Sequence, residues 1–347
     1  MRYPHFLEKN GTVGFAAPSY GCNREPYQTR FQKGLERLAD LGHRVKLGPN
    51  CYAGCGVGIS NTPEACGREL TEMYCEADCD VLISCGGGEL MCETIEHVDW
   101  ERVKAAPAKW FMGYSDNTNF TFLLTTLCDT ASLYGYNGPT FGGEPLHPSI
   151  MDHYRLLRGE LCEVHNYDAF EKQEDSIASV ENPCAIIHAV NPFDPTYFDA
   201  NGERTDTWRA KGRLLGGCLD VLSGIRGTRF DRVNEFCEQY REDGVLWFLE
   251  SCELNPMSVR RVLWSMKHAG WFEHASGLLI GRPMLYDRED PGLDHIEAVR
   301  GIAKELSIPV AFGLDFGHLP PSMPIICGAV GTASGEGKRF RMEYTLR

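Results

Sequence analysis

With 347 residues, 43% of them hydrophobic and 24% charged, the chain has the make-up of a globular protein long enough for two domains and a sizeable core without disulfide staples. A formal net charge of −14 and the lack of any clustered Lys/Arg run exclude recognition of a phosphate backbone, so nucleic acid is not an expected partner. No apolar run approaches a membrane span and the first residues lack a signal-peptide core, so we expect no membrane partner and a cytoplasmic location.

Residues 11–19 read as a buried strand that closes in a small-residue turn. Phe31, Leu35 and Leu38 recur at helical spacing within 26–41, and 42–47 begins the next strand, which completes a βαβ unit. A helix over 64–77 and a strand over 80–85 follow, the strand running into Gly86-Gly87-Gly88. Such alternation implies a parallel sheet with helices on both faces and ligands beyond the carboxyl ends of its strands. The triple glycine lies at one such end. It is either a flexible connection or a bare backbone that lets substrate come close and offers N–H donors. No Gly-x-Gly-x-x-Gly follows, so it is not a phosphate loop. Fifteen cysteines include the pairs Cys51/Cys55 and Cys75/Cys79, but no Cys-x-x-Cys occurs. We read them as reduced thiols acting as small hydrophobes, with neither metal nor cofactor expected.

The chain is organised around residues 110–119, Trp-Phe-Met-Gly-Tyr-Ser-Asp-Asn-Thr-Asn, where an apolar run stops at Gly113 and a polar cluster opens another apolar segment. This reads as a strand, a tight turn and a helix start, with Ser115 at the corner. A serine there stands clear of the sheet beside outward-pointing N–H groups that can hold an oxyanion. A turn with a capping serine has the same pattern, so a base and an orienting carboxylate must be found elsewhere.

From about residue 146 the alternation breaks, and 162–206 mixes charge, proline and aromatics without a period. We therefore divide the chain into a nucleophile domain over 1–160, a linker with an irregular substrate loop over 161–210, and a second domain over 211–347. Trp208 closes the loop, either as simple packing or as the wall of a substrate pocket. Residues 211–222 then open the second domain with a Gly216-Gly217 turn. The apolar strand 244–250 ends on Glu250. A helix over 257–269, a strand and turn over 278–283, a helix over 296–306 and a strand over 309–312 lead to Asp315-Phe316-Gly317-His318, and 325–346 alternates as terminal strands do.

His318 sits between Gly317 and Leu319-Pro320-Pro321, a rigid loop with room beside the imidazole. Ser115 needs a base that can carry its proton to a leaving amine, and imidazole does this near neutral pH. The base needs a carboxylate, and Glu250 emerges from a buried strand where an unpaired charge is costly. Ser115, Glu250 and His318 thus make a coherent triad.

In these residues the chain resembles the LD-carboxypeptidases and the related microcin C immunity peptidases. The matching segments are Gly113-Tyr114-Ser115-Asp116, Gly86-Gly87, Leu215-Gly216-Gly217, Phe248-Leu249-Glu250 with Arg260-Arg261 and Leu263, Gly281-Arg282-Pro283, and Phe316-Gly317-His318 with Pro324 behind it. The resemblance implies an α/β protein: an N-terminal parallel-sheet domain like that of class I glutamine amidotransferases, a smaller C-terminal α/β domain, and commonly a homodimer. It implies Ser115 as nucleophile, His318 as general base and then acid, Glu250 as its orienter, and the N–H groups of Gly87 and Asp116 as oxyanion hole, with no metal. Cys218 stands where many relatives carry Asn, and Gly88-Glu89 departs from the usual pattern.

The family cuts amides beside a free carboxylate, so Arg282 and Arg260 are candidates for a bidentate clamp or for structural ion pairs. Glu253 either meets a substrate amine or is solvated. Gly88, Trp208 and Cys218 complete the candidate substrate contacts. The expected substrate is a small peptide, an LD amide of a muropeptide tetrapeptide, with an aminoacyl-nucleotide amide as the alternative. Two rivals remain: a catalytically silent binding homologue, and a zinc hydrolase.

Overall fold

The computed structural model describes residues 1–75 and 78–347, which divide into two compact units. The first holds residues 1–161 and 174–188, the second 162–173 and 189–347. The stretch expected as linker and loop is thus shared out. Residues 174–188 join the first unit, and the rest supplies edge strands to the second, which is nearly as long as the first.

In the first unit, strands β1 (Thr12–Ala16), β2 (Arg44–Leu47), β3 (Val81–Ser84), β4 (Trp110–Gly113) and β5 (Ser132–Tyr134) pair in parallel in the order β5-β4-β3-β1-β2. β1, β3, β4 and β5 are buried throughout, as strands covered on both faces must be. Helix α1 (Tyr27–Asp40) buries Phe31, Gly34 and Leu38 on one stripe. Helix α2 (Pro63–Cys75) matches the helix expected over 64–77, whose last two residues lie outside the described ones. Helices α3 (Trp100–Ala105), α4 (Thr118–Cys128) and α5 (Pro148–Leu157) follow. Leu70, Tyr74, Leu82, Phe111, Phe120 and Leu124 make one apolar cluster, in which Phe111 and Phe120 meet edge to face at 4.7 Å. Cys79 and Cys128 are buried with them, and burial pushes the Cys128 thiol up to about 12, the signature of packing rather than reactivity.

The second unit is built on a nine-stranded mixed sheet. Its strands are β6 (Glu163–His165), β7 (Thr196–Phe198), β8 (Arg204–Thr205), β9 (Thr207–Cys218), β10 (Val245–Glu250), β11 (Ala275–Gly281), β12 (Val310–Leu314), β13 (Val330–Glu336) and β14 (Arg339–Thr345), in the order β8-β7-β12-β11-β10-β9-β13-β14-β6. The central four, β9 to β12, are parallel, and the outer strands pair antiparallel. β14 alternates exposed and buried along its whole length, the pattern of a sheet with one wet face. Helices α6 (Leu219–Ile225), α7 (Val233–Gln239), α8 (Pro256–His268) and α9 (His295–Leu306) connect the parallel strands. α8 starts cleanly because Asn255 accepts the Ser258 N–H at 2.8 Å ahead of Pro256, and α9 because Asp294 accepts the Glu297 N–H at 2.7 Å.

Two expectations change here. The Gly216-Gly217 pair is not a turn: it continues β9, and a methyl at Gly216 would collide with the Phe248 carbonyl of the neighbouring strand. Trp208 lies near the start of the same strand, 3% exposed, stacked on Tyr197 at 6.5 Å and tilted against Phe340. Ten residues of strand separate it from Cys218, about 33 Å at roughly 3.3 Å per residue. It is therefore a core residue far from Glu250, not the wall of a pocket beside it. Among the described residues no helix is long and apolar enough to cross a membrane.

Candidate active site

Ser115, the candidate nucleophile, lies in the first unit. β4 ends at Gly113, and Ser115 takes φ +64° before a single 3₁₀ turn leads into α4. A left-handed serine costs about 1–2 kcal/mol, so the surroundings must hold it there. They do so with hydrogen bonds. The Ser115 N–H donates to the Tyr134 hydroxyl at 3.3 Å. Asn117 donates through Nδ2 to the Gly86 carbonyl at 2.7 Å and to the Tyr114 carbonyl at 3.2 Å, and the Tyr114 N–H reaches Asn137 Oδ1 at 3.4 Å. The glycine loop is pressed against this corner: a methyl at Gly87 would sit 3.2 Å from Ser115 Oγ. A methyl at Gly88 would strike the Ser19 hydroxyl, so that glycine serves close packing. The Gly87 carbonyl accepts from the Tyr20 N–H at 2.9 Å, which fixes the loop further.

Asp116 is buried, and its carboxylate points away from solvent. Oδ2 accepts from Ser19 Oγ at 2.6 Å and from the Met91 N–H at 2.9 Å, and Oδ1 accepts from Asn119 Nδ2 at 3.0 Å. Burial pushes the carboxyl up to about 6, against the pull of these donors. Asn117, Asn137, Tyr134 and Ser19 had no signal in the sequence, since isolated polar residues near strand ends read as ordinary turn formers.

Glu250 and His318, the candidate orienter and base, lie in the second unit. Glu250 is the last residue of β10 and 1% exposed, and its Oε2 lies 2.8 Å from His318 Nδ1. A carboxylate only accepts, so Nδ1 carries the proton and Nε2 is left as the basic nitrogen. Gly317 makes the approach feasible: it takes φ +109°, and a methyl there would lie 2.8 Å from Glu250 Oε2. Cys218 faces Glu250 across the β9–β10 pair and is 2% exposed, its thiol donating to Asp220 Oδ2 at 3.4 Å. Burial, then Glu250 and Asp220, hold that thiol well above its ordinary range. It backs the carboxylate and offers substrate no surface, which corrects its candidacy as a contact. Asp220 also accepts the N–H groups of Cys252 at 3.0 Å and Glu253 at 2.9 Å, fixing the loop beyond Glu250 and leaving the Glu253 side chain exposed.

Both candidate arginines make structural contacts. Arg282 is 2% exposed; Nη2 donates to Asp315 Oδ1 at 2.6 Å, and its guanidinium lies 3.7 Å over the Phe170 ring. Arg260 Nη1 donates to the Ala298 carbonyl of α9 at 3.2 Å and Nη2 reaches Glu305, joining α8 to α9. Arg260 is thus committed to a helix–helix contact, whereas Arg282 keeps one buried nitrogen, Nη1, without a hydrogen-bond partner among the described residues. Among the described residues no cluster of three His, Cys, Asp or Glu side chains is arranged to hold a metal ion.

A strained, hydrogen-bonded serine beside bare backbone and a buried carboxylate–imidazole pair are the parts of acyl-transfer chemistry. Comparison with known proteins identifies a family of peptidases. Residues 13–135 match the LD-carboxypeptidase N-terminal domain and 211–332 the LD-carboxypeptidase C-terminal domain. A probable murein peptide carboxypeptidase of Bacillus subtilis (strain 168) is 24% identical over 94% of this chain and 89% of its own. The microcin C7 self-immunity protein MccF of Escherichia coli is 23% identical over 93% and 90%. The structure of MccF in complex with glutamyl sulfamoyl guanosine superposes with a TM-score of 0.80 at 19% identity, covering 99% of this chain and 98% of that one, and so shares its fold. With both of its domains matched in order, the chain belongs to the LD-carboxypeptidase family of peptidases.

Proposed function

We propose that the chain is a serine peptidase that hydrolyses an LD amide next to a free carboxylate, as in a muropeptide tetrapeptide. The observation that carries the reading is the buried Glu250 carboxylate hydrogen-bonded to His318 Nδ1, an arrangement whose use is to leave Nε2 basic and to stabilise the imidazolium. In this mechanism His318 takes the Ser115 proton as Oγ attacks the amide carbon. The N–H groups of Gly87 and Asp116 hold the oxyanion. The imidazolium then gives its proton to the departing amine, leaving an acyl-serine that water cleaves with His318 again as base. Gly88 and Glu253 border the substrate in this reading. Support comes from the family and from the name of the Bacillus subtilis relative.

A second substrate is favoured by one observation: MccF, which shares the fold, was solved with glutamyl sulfamoyl guanosine. Trp208 is buried, and so offers no exposed aromatic face on which a nucleoside base could stack. Muropeptide tetrapeptide and an aminoacyl-sulfamoyl adenosine, incubated in parallel and followed by mass spectrometry, decide between them. Loss of the terminal residue from the tetrapeptide alone is the expected result. Ser115→Ala should lower kcat by about 10⁴- to 10⁶-fold, by analogy with other triads. Unchanged turnover in that variant rejects the mechanism.

A further inference from the structure

We infer that the Asp116 side chain is a positioning residue, a clamp that holds the Gly86–Gly88 backbone at working distance from the Ser115 hydroxyl. The inference rests on Ser115 being the nucleophile and goes beyond the role of the Asp116 N–H.

The carboxylate touches both flanks of the glycine loop. Its Oδ2 accepts from Ser19, the residue against which Gly88 is packed, and from the N–H of Met91, which opens the short helix Met91–Thr94 just past the loop. Oδ1 accepts from Asn119 in the first turn of α4, so the group also grips the helix that follows the nucleophile. One side chain therefore links the end of β1, the exit of the glycine loop and the start of α4. Between these points lies the gap in which a Gly87 methyl would approach Ser115 Oγ to 3.2 Å. Preorganised donors act only when held close to where the charge develops, and displacement by about 1 Å costs about 10²-fold.

The geometry calls for a carboxylate. All three partners are donors, two on one oxygen and one on the other. An amide offers one accepting oxygen, and its NH₂ would face either Asn119 Nδ2 or the Ser19 and Met91 donors. A group needed only to fill the space would tolerate that exchange. A clamp would not, because its loop would move.

The test compares wild type, Asp116→Asn and Ser19→Ala as full-length proteins. It measures the rate of fluorophosphonate reaction at Ser115, which needs no knowledge of the natural substrate, and kcat and KM on muropeptide tetrapeptide. We expect Asp116→Asn to lower kcat and the labelling rate about 10²-fold, with KM within about twofold. Ser19→Ala, which removes one donor and leaves the carboxylate, should lower both about fivefold to tenfold; it decides the matter if Asp116→Asn does not fold. Wild-type rates in the folded variants, or a raised KM with unchanged kcat, overturn the inference while the nucleophile assignment stands. A wild type inert to the probe and to substrate overturns that assignment, and this inference with it.

Discussion

Gly317→Ala isolates the Glu250–His318 pair. The new methyl would sit 2.8 Å from Oε2 and 3.0 Å from Cβ of Glu250, which is 1% exposed. Relieving those contacts moves the carboxylate by roughly 0.5 Å relative to His318, since nonbonded carbon contacts relax only near 3.5 Å. The 2.8 Å bond to Nδ1 is the first thing lost. Complete loss of the orienting carboxylate costs about 10⁴-fold in kcat and a 1 Å displacement about 10²-fold, so we expect about 10²-fold here. The backbone adds a separate cost. Alanine at φ +109° is strained by about 2 kcal/mol, which lowers Tm by about 4–8 °C in a domain of this size. Gly292→Ala is the control. It sits at φ +79° with nothing near its missing Cβ, and should be destabilised with its activity intact. Steady-state kinetics and thermal unfolding on both variants read the two effects apart. A Gly317→Ala enzyme with wild-type kcat would refute the reasoning that Glu250 works through its contact with His318.

Gly87→Ala should lower kcat by about 10²-fold at unchanged Tm, because its methyl meets Ser115 Oγ at 3.2 Å while its backbone needs no unusual φ; kinetics and differential scanning calorimetry check this. Arg282→Ala should cost about 3–5 kcal/mol in urea unfolding, since it strands Asp315 in the core, and Arg282→Met with Asp315→Leu should recover part of the loss. Stability should also depend on pH through Asp116. Its folded pKa of about 6 lies above an unfolded value of about 3.9, so the folded state holds the proton more tightly. Its contribution is complete below about pH 4 and is lost as pH rises to about 6. Wild type should therefore lose about 3 kcal/mol relative to Asp116→Asn across that window, Glu89 adding to the effect by its negative charge, and urea titrations at several pH values measure the difference.

What the sequence disclosed followed from how local each signal is. The turn at Ser115 was legible because an apolar strand, a glycine and a polar helix start fall within ten residues. Glu250 and His318 were legible for a similar reason: a carboxylate ending a buried strand and an imidazole beside glycine are odd enough to need a purpose. Helices α1, α8 and α9 appeared within a residue or two, as their amphipathic stripes would require, whereas α3, α5, α6 and α7 had no counterpart in the sequence reading. Strand β9 did not, because its exposed half alternates charged residues and its buried half contains two glycines, so its 12 residues carry no single period. Strands β7 and β8 are two or three residues long, below the length at which alternation can be seen, and their segment was read as loop. Arg282 shows the other limit. A cation after a strand reads equally as a clamp or as an ion pair, and only the fold brings Phe170 and Asp315, from distant parts of the chain, beside it. The asparagines behind Ser115 were invisible on the same ground: their partners are backbone atoms brought near by the sheet.

The most direct measurement is the site of fluorophosphonate attachment, mapped by peptide mass spectrometry in wild type and in His318→Ala. The account predicts one adduct, on Ser115, whose formation slows by at least about 10³-fold when the imidazole is removed. An adduct on another residue, or labelling of Ser115 at the same rate without His318, would contradict it.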